Sequence, residues 1–340
     1  MKKKTNESGP TSCTSTNNVR VLGGGPAGSM AAIGACREGA ARVEIVERSR
    51  FPRHKVCGEF LSPEIAPILQ RAGLLEAFLQ QAPWSVRRMA VYLGSTEKRA
   101  VLPEPAFGLS RYTFDELLWS TAARLGTQHV GAGEPTIIAT GRPPSPAAKG
   151  SRLFGFKAHF DGPSDDAVEL YFRHDAYVGI NCIEGGRTNV CGIAPESALK
   201  AAGFEPESLM MTSAPLRHRL APLTRTMDWI FTGPLAFGQR WKPEGSALLC
   251  GDALSFVDPF TGSGLLCAAL TGSLAGEHAA RGLEPAAHLA ACRKAIGRPF
   301  FFSSALRSIA GTDWAERLLP FVPGQWLYRL TRPPAVRVSW

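Results

Sequence analysis

The stretch that most restricts this chain is Asn18–Ala32, NVRVLGGGPAGSMAA. A β-branched run, Val19 to Leu22, stops at three glycines, and a run of small residues able to start a helix follows at once. Gly23, Gly25 and Gly28 spell G-x-G-x-x-G. In a strand–turn–helix, the first glycine makes the turn, the second lets a pyrophosphate approach the backbone, and the third lets helix and strand pack closely. Pro26 suits the first helical turn, where its missing N–H would have had no partner. The free N–H groups there face an anion. The motif alone is equally a plain glycine turn between a strand and a helix. A second strand, Ala41–Val46, ends at Glu47, 47 − 28 = 19 residues past the third glycine, close to where a carboxylate meets a ribose 2′-hydroxyl. An acid there disfavours a 2′-phosphate.

The chain has 340 residues, 44% hydrophobic and 20% charged, enough for two domains or one α/β unit carrying an insertion. The net charge of +9 includes Lys2, Lys3 and Lys4 in a polar tail. Nucleic acid is not expected as a partner, because no basic helix, metal finger or aromatic-rich strand motif accompanies that charge. Anionic phosphates or peripheral contact with a membrane surface suit it as well. Eight scattered cysteines without C-x-x-C predict reduced thiols, a cytoplasmic location and no metal site. Thr5–Asn18 is polar where a signal peptide would be apolar, and no run approaches a spanning length.

Residues 1–17 read as a disordered tail. Residues 18–150 and 241–285 read as one discontinuous nucleotide domain, 151–240 as an inserted antiparallel sheet for substrate, and 286–340 as a helical region ending in Trp326, Tyr328 and Trp340. Pro63–Ala77 and Phe114–Leu125 read as helices, with Asp115 and Glu116 in the first turn of the latter. Lys157 and His159 alternate with Phe154, Phe156 and Phe160, either lining a substrate cavity or simply alternating on a half-buried sheet. The phenylalanines suggest an apolar small-molecule substrate. His54, Lys55 and Glu59 read as a solvated loop, with proton transfer as the other possibility.

Three segments, GGGPAG with Glu47, Ser110-Arg111 with Asp115, and GDALSFVDPFTGSGL at 251–265, together resemble FAD-dependent oxidoreductases of the glutathione-reductase-type fold. HKVCGEFLSPE at 54–64 and YVGINCIEGGRTNVCG at 177–192 resemble the geranylgeranyl reductase-like group, which borders on flavin monooxygenases and halogenases. The resemblance implies an α/β fold with a Rossmann-like FAD-binding domain. It also implies FAD contacts from Gly23, Gly25, Pro26, Ala27, Gly28, Glu47 and Arg48 at the adenosine and pyrophosphate end. Cys57, Gly58 and Arg111 would flank the cofactor. Gly251, Asp252, Pro259, Gly262, Gly264 and Leu265 would serve the ribityl chain and flavin ring. Cys57 and Lys157 are the candidate catalytic side chains.

Three features depart from that pattern. Ala139-Thr140-Gly141-Arg142 stands where flavin hydroxylases carry Asp-Gly, W-x-W-x-I-P is absent, and the interval from Gly126 to Ile137 is short, 137 − 126 = 11 residues. The short interval puts the adenine-side contacts in question. With no second dinucleotide motif, NADPH or NADH would bind transiently, or a redox partner protein would supply electrons. The expected reaction is hydroxylation of an aromatic or polyketide-like molecule. Reduction of an isoprenoid double bond, or a binding role in a relative that has lost FAD, are the alternatives.

Overall fold

The computed structural model describes residues 17–310 apart from 95, 143–151, 174–175, 236, 244 and 257–261, with the backbone alone for 298–310. The N-terminal tail, Pro259 and the aromatic C-terminal segment lie outside the described residues.

The expected strand–turn–helix forms. Strand Asn18–Leu22 leads through the glycines into helix Pro26–Arg37, and strand Arg42–Val46 returns parallel to the first. Among the described residues the parallel sheet runs Leu248–Leu249, Ile137–Ile138, Asn18–Leu22, Arg42–Val46, Gln128–His129. The chain therefore returns from residue 248 to complete the nucleotide domain. Its core is aliphatic, with Val19, Val21, Ile45, Met30 and Ile33 buried.

Helix Gly264–Ala280 packs on helix Pro26–Arg37 at a distance only glycine permits. A Cβ at Gly272 would lie 2.3 Å from the Ala27 carbonyl oxygen, and one at Gly276 would lie 2.0 Å from that of Ala31. Gly272 opposes Ala27 and Gly276 opposes Ala31, so the helices run the same way and their N-termini point to the same end of the sheet. By that register Pro26 is level with Thr271, and Gly264 lies 271 − 264 = 7 residues beyond it, about 11 Å along the axis.

Among the described residues the second sheet has nine strands, and it is not confined to residues 151–240. Strands Leu153–Asp161, Thr188–Pro195, Tyr177–Cys182 and Ala167–Phe172 are antiparallel neighbours, and strands Trp84–Leu93, Thr96–Gly108 and Phe60–Leu61 extend the sheet past them. The join between Trp84–Leu93 and Ala167–Phe172 is parallel. Helix Arg111–Arg124 begins three residues before the start read from the sequence, because Ser110 caps it with a hydroxyl that accepts from the Thr113 N–H. Asp115 and Glu116 consequently fall in the second turn. The single helix expected over Pro63–Ala77 is two, Ile65–Arg71 and Leu75–Leu79, separated at Gly73, whose φ is +63°.

Alternation on strand Leu153–Asp161 holds, but the faces carry a different meaning from the one expected. Phe156 and Phe160 turn away from the nucleotide domain and pack with Trp229, Leu216 and Leu220. Lys157 and His159 face the loop that carries Glu59. The phenylalanine content thus reports a structural core, and its support for an apolar substrate falls away.

Candidate flavin site

The first glycine turn has the form of a cradle that a phosphate would fit. Gly23, at φ +102°, donates its N–H to the Val46 carbonyl at 2.8 Å. A Cβ at Gly28 would lie 1.7 Å from the Gly23 oxygen, so this glycine provides the close packing. Gly25 has no atom within 4 Å of its Cβ position, which leaves room where a pyrophosphate must approach. Pro26 and Ala27 open the helix behind it.

Glu47 sits at the end of its strand as expected. Its carboxylate accepts from the Gly24 N–H and the Ser49 N–H, each at 2.8 Å, and Arg53 lies 3.5 Å away. Burial works to raise this carboxyl, but the two N–H groups and the Arg53 charge hold it below its usual range. Arg48 is exposed. The short 126–137 interval does not leave this end open. Strand Gln128–His129 lies along Arg42–Val46, His129 Nε2 is 2.8 Å from the Glu47 carbonyl oxygen, and the Trp119 ring lies edge-on to His129. Trp119 also crowds Gly24, a contribution that a lone tryptophan on a helix does not announce in sequence.

The second glycine turn stands at the other helix start. Gly262 has φ +62°, and Gly264 has no atom within 4 Å of its Cβ position. Leu265 is buried in the first turn. Gly251, at φ +59°, abuts Ala27 and donates its N–H to the Thr271 hydroxyl at 2.9 Å. This places Asp252 beside the start of the first helix. Among the described residues no hydrogen bond holds its carboxylate, and burial pushes its carboxyl up against the opposing charges of Arg111, Arg142 and Lys55.

Glu59 is not part of a solvated loop. It is fully buried at a φ of +51°, a conformation rare for a side-chain-bearing residue. One carboxylate oxygen accepts from the Arg111 N–H at 2.6 Å and from Lys157 Nζ, and the other lies 2.7 Å from His159 Nε2. Burial alone would raise this carboxyl; the Lys157 charge and the His159 hydrogen bond hold it low. Lys157 and His159 are themselves buried, while His54 and Lys55 stay exposed as read. Asn189 donates to the carbonyls of Cys57 at 3.2 Å and Gly58 at 2.9 Å, fixing that turn from the strand beside Lys157. Arg111 forks onto Asp115 at 2.5 and 2.7 Å, and its charge acts on the Cys57 sulfur. Burial pushes the Cys57 thiol up.

Two helix N-termini offset by about 11 Å along their shared direction, with the Asp252 carboxylate beside the first and free of hydrogen bonds among the described residues, suit a long cofactor with an anionic centre. FAD has that form. When bound, FAD would set its pyrophosphate at Gly25, its ribityl hydroxyls at Asp252 and its flavin N1/O2 edge at Gly264 and Leu265.

A tryptophan halogenase family model matches residues 18–114. The menaquinone reductase of Mycobacterium tuberculosis is 25% identical, the match covering 76% of each chain. That of Mycolicibacterium smegmatis is 47% identical over 57 residues, 17% of this chain and 14% of that protein. The fold is shared with a triple mutant of the flavin-dependent brominase Bmp2, at a TM-score of 0.77 and 19% identity over 95% of this chain and 96% of that one. Fold, glycine turns and relatives together define an FAD-dependent oxidoreductase. No described helix is long and apolar enough to cross a membrane.

Proposed function

We propose that the chain is a flavin-dependent reductase of a carbon–carbon double bond in an isoprenoid or quinone-type molecule. NADPH or NADH, or a redox partner protein, supplies its electrons transiently. The observation that carries this reading is Cys57, in a turn fixed by Asn189 and by the Glu59 N–H at its sulfur, a thiol kept protonated by burial beside the Arg111 charge that also reaches Asp252. Reducing a double bond requires a hydride equivalent on one carbon and a proton on the other. Bound FAD supplies the hydride chemistry. The Cys57 thiol is poised to give the proton, and Arg111 steadies the thiolate left behind.

The match to a menaquinone reductase over 76% of both chains supports the same reading, whereas a halogenase relative from Armillaria mellea matches 35% of this chain. The geranylgeranyl reductase-like motifs at 54–64 and 177–192 lie at Cys57 and Asn189. An isoprenoid substrate resides in a lipid bilayer, and a net charge of +9 favours docking at an anionic membrane surface.

The test is to load the protein with FAD, reduce it without oxygen, and add menaquinone. Reoxidation of the flavin is expected, with two hydrogens added to the isoprenoid chain and a product that stays two hydrogens heavier after its ring is reoxidised to the quinone. Reoxidation by oxygen alone, with hydroxylated or halogenated phenols as products, overturns the reading in favour of the hydroxylase or halogenase chemistry of neighbouring groups.

A further inference from the structure

We propose that the rim running from Arg48 to Lys55, laid against helix Arg111–Arg124, is the face that docks on an anionic lipid bilayer. It rests on the reductase reading for its purpose, because an isoprenoid or quinone-type substrate is dissolved in such a bilayer. The contact itself needs no substrate.

The segment is basic along its whole length. Between Glu47 and Glu59 stand Arg48, Arg50, Arg53 and Lys55, and no carboxylate. The nearest acids are already engaged. Glu47 accepts two backbone N–H groups and pairs with Arg53, Asp115 takes the Arg111 fork, and Glu59 is buried between Lys157 and His159. Arg48, Arg50 and Lys55 are exposed, and no ion pair ties them among the described residues. Glu116, half-buried on the helix beneath, offsets one of these three charges and leaves the rim positive.

The rim is held along the helix. The Phe51 ring lies 4.9 Å from the Trp119 ring, and the His54 ring lies 4.9 Å from the Tyr112 ring. Tyr112 and Trp119 are 119 − 112 = 7 residues apart, two turns along one face of the helix, about 10 Å. The Arg53 guanidinium lies over the Phe51 ring at 4.9 Å. These contacts pin the loop, and Pro52, His54 and Lys55 stay exposed on it. Tyr112 is 43% exposed, and its apolar ring with a polar tip suits the boundary between headgroups and acyl chains.

The net charge of +9 draws the chain to an anionic surface without choosing a face. Cations without counter-ions choose one, since each Lys or Arg near such a surface strengthens binding about five-fold. Lys55 stands two residues before Cys57, so a polyprenyl chain that leaves the bilayer at this rim enters beside the thiol turn.

Flotation of the full chain with lipid vesicles tests the face. The protein should float with vesicles of mixed phosphatidylcholine and phosphatidylglycerol, stay behind with phosphatidylcholine alone, and be released by about 1 M salt. Arg50→Glu should weaken binding to the mixed vesicles about ten-fold or more, and the milder Lys55→Gln about five-fold. Arg217→Glu removes the same charge as Arg50→Glu from an exposed position on helix Ala214–Leu220, which packs on the far side of the second sheet, and should leave binding within about three-fold of the parent. Equal binding to both kinds of vesicle, equal losses in Arg50→Glu and Arg217→Glu, or no loss in Lys55→Gln overturns the face. In the FAD-loaded, reduced protein, Arg50→Glu should slow reoxidation by menaquinone held in mixed vesicles and leave it unchanged in neutral detergent micelles. Slowing in the micelles as well overturns docking as the role of Arg50. If menaquinone reoxidises the parent in neither, the reductase reading fails, and flotation, which needs no substrate, still decides the face.

Discussion

Glu59 and Lys157 lie 98 residues apart in sequence and meet as a fully buried ion pair, the carboxylate at the end of a loop and the ammonium on the sheet beneath it. The same carboxylate accepts the Arg111 N–H at the start of a helix. One side chain thus joins the loop of Cys57, the helix that begins at Arg111, and the second sheet.

Glu59→Gln should therefore destabilise the protein by about 3 kcal/mol or more, because Lys157 is left as an uncompensated buried charge. Urea denaturation measures this. Adding Lys157→Met to Glu59→Gln should recover much of the loss, since the pair then becomes neutral. If the double variant is as unstable as the sum of the single ones, coupling between the two residues is disproved.

The two ends of the first glycine turn should respond differently to a methyl group. Gly25→Ala meets open space, so its stability should stay within about 0.5 kcal/mol of the parent while FAD affinity falls about ten-fold or more. Gly28→Ala would place a Cβ 1.7 Å from a backbone oxygen and should fail to fold. Quenching of FAD fluorescence on titration, beside thermal denaturation, separates the two.

How much of this was legible beforehand follows from the range of each interaction. The glycine turn, Pro26 and Glu47 were readable because a βαβ unit is specified by neighbours within about 30 residues. The sheet that carries Lys157 was readable as strands, since period-two alternation is local. Which face met the nucleotide domain was not, so phenylalanines that fill a core suggested a substrate. Glu59 reads as solvated in sequence for the same reason, as its partners arrive from residues 111, 157 and 159. Strand Thr96–Gly108 was hidden by Pro103 and Pro105 and by the charges of Glu97, Lys98 and Arg99, which oppose the usual strand composition.

Asp252 offers a separate check on the cofactor's path. Its carboxylate faces Arg111, Arg142 and Lys55 without a hydrogen bond among the described residues, and burial raises it. Asp252→Ala should weaken FAD binding by about ten-fold, the loss of one charge-assisted hydrogen bond, and leave the apoprotein at least as stable as the parent. Isothermal titration with FAD and denaturation of the apoprotein measure the two effects. Unchanged FAD affinity would remove Asp252 from the site.

A last prediction concerns acid stability. His278 Nδ1 lies 3.1 Å from His288 Nδ1, and His288 Nε2 donates to the Leu249 carbonyl at 2.8 Å, clasping helix Pro285–Ala310 to the edge strand of the nucleotide domain. Burial, and then the nearby His288, lower His278 from 6.5 to about 4. Between those values the unfolded chain holds the proton that the folded protein refuses. Stability should thus be full above pH 6.5 and fall as the pH drops toward 4, by about 1–3 kcal/mol for this residue. His278→Gln should flatten that part of the stability curve, because glutamine takes up no proton in either state. If the variant and the parent lose stability in parallel from pH 6.5 to 4, the acid sensitivity lies elsewhere, and the histidine clasp holds its helix without regard to pH.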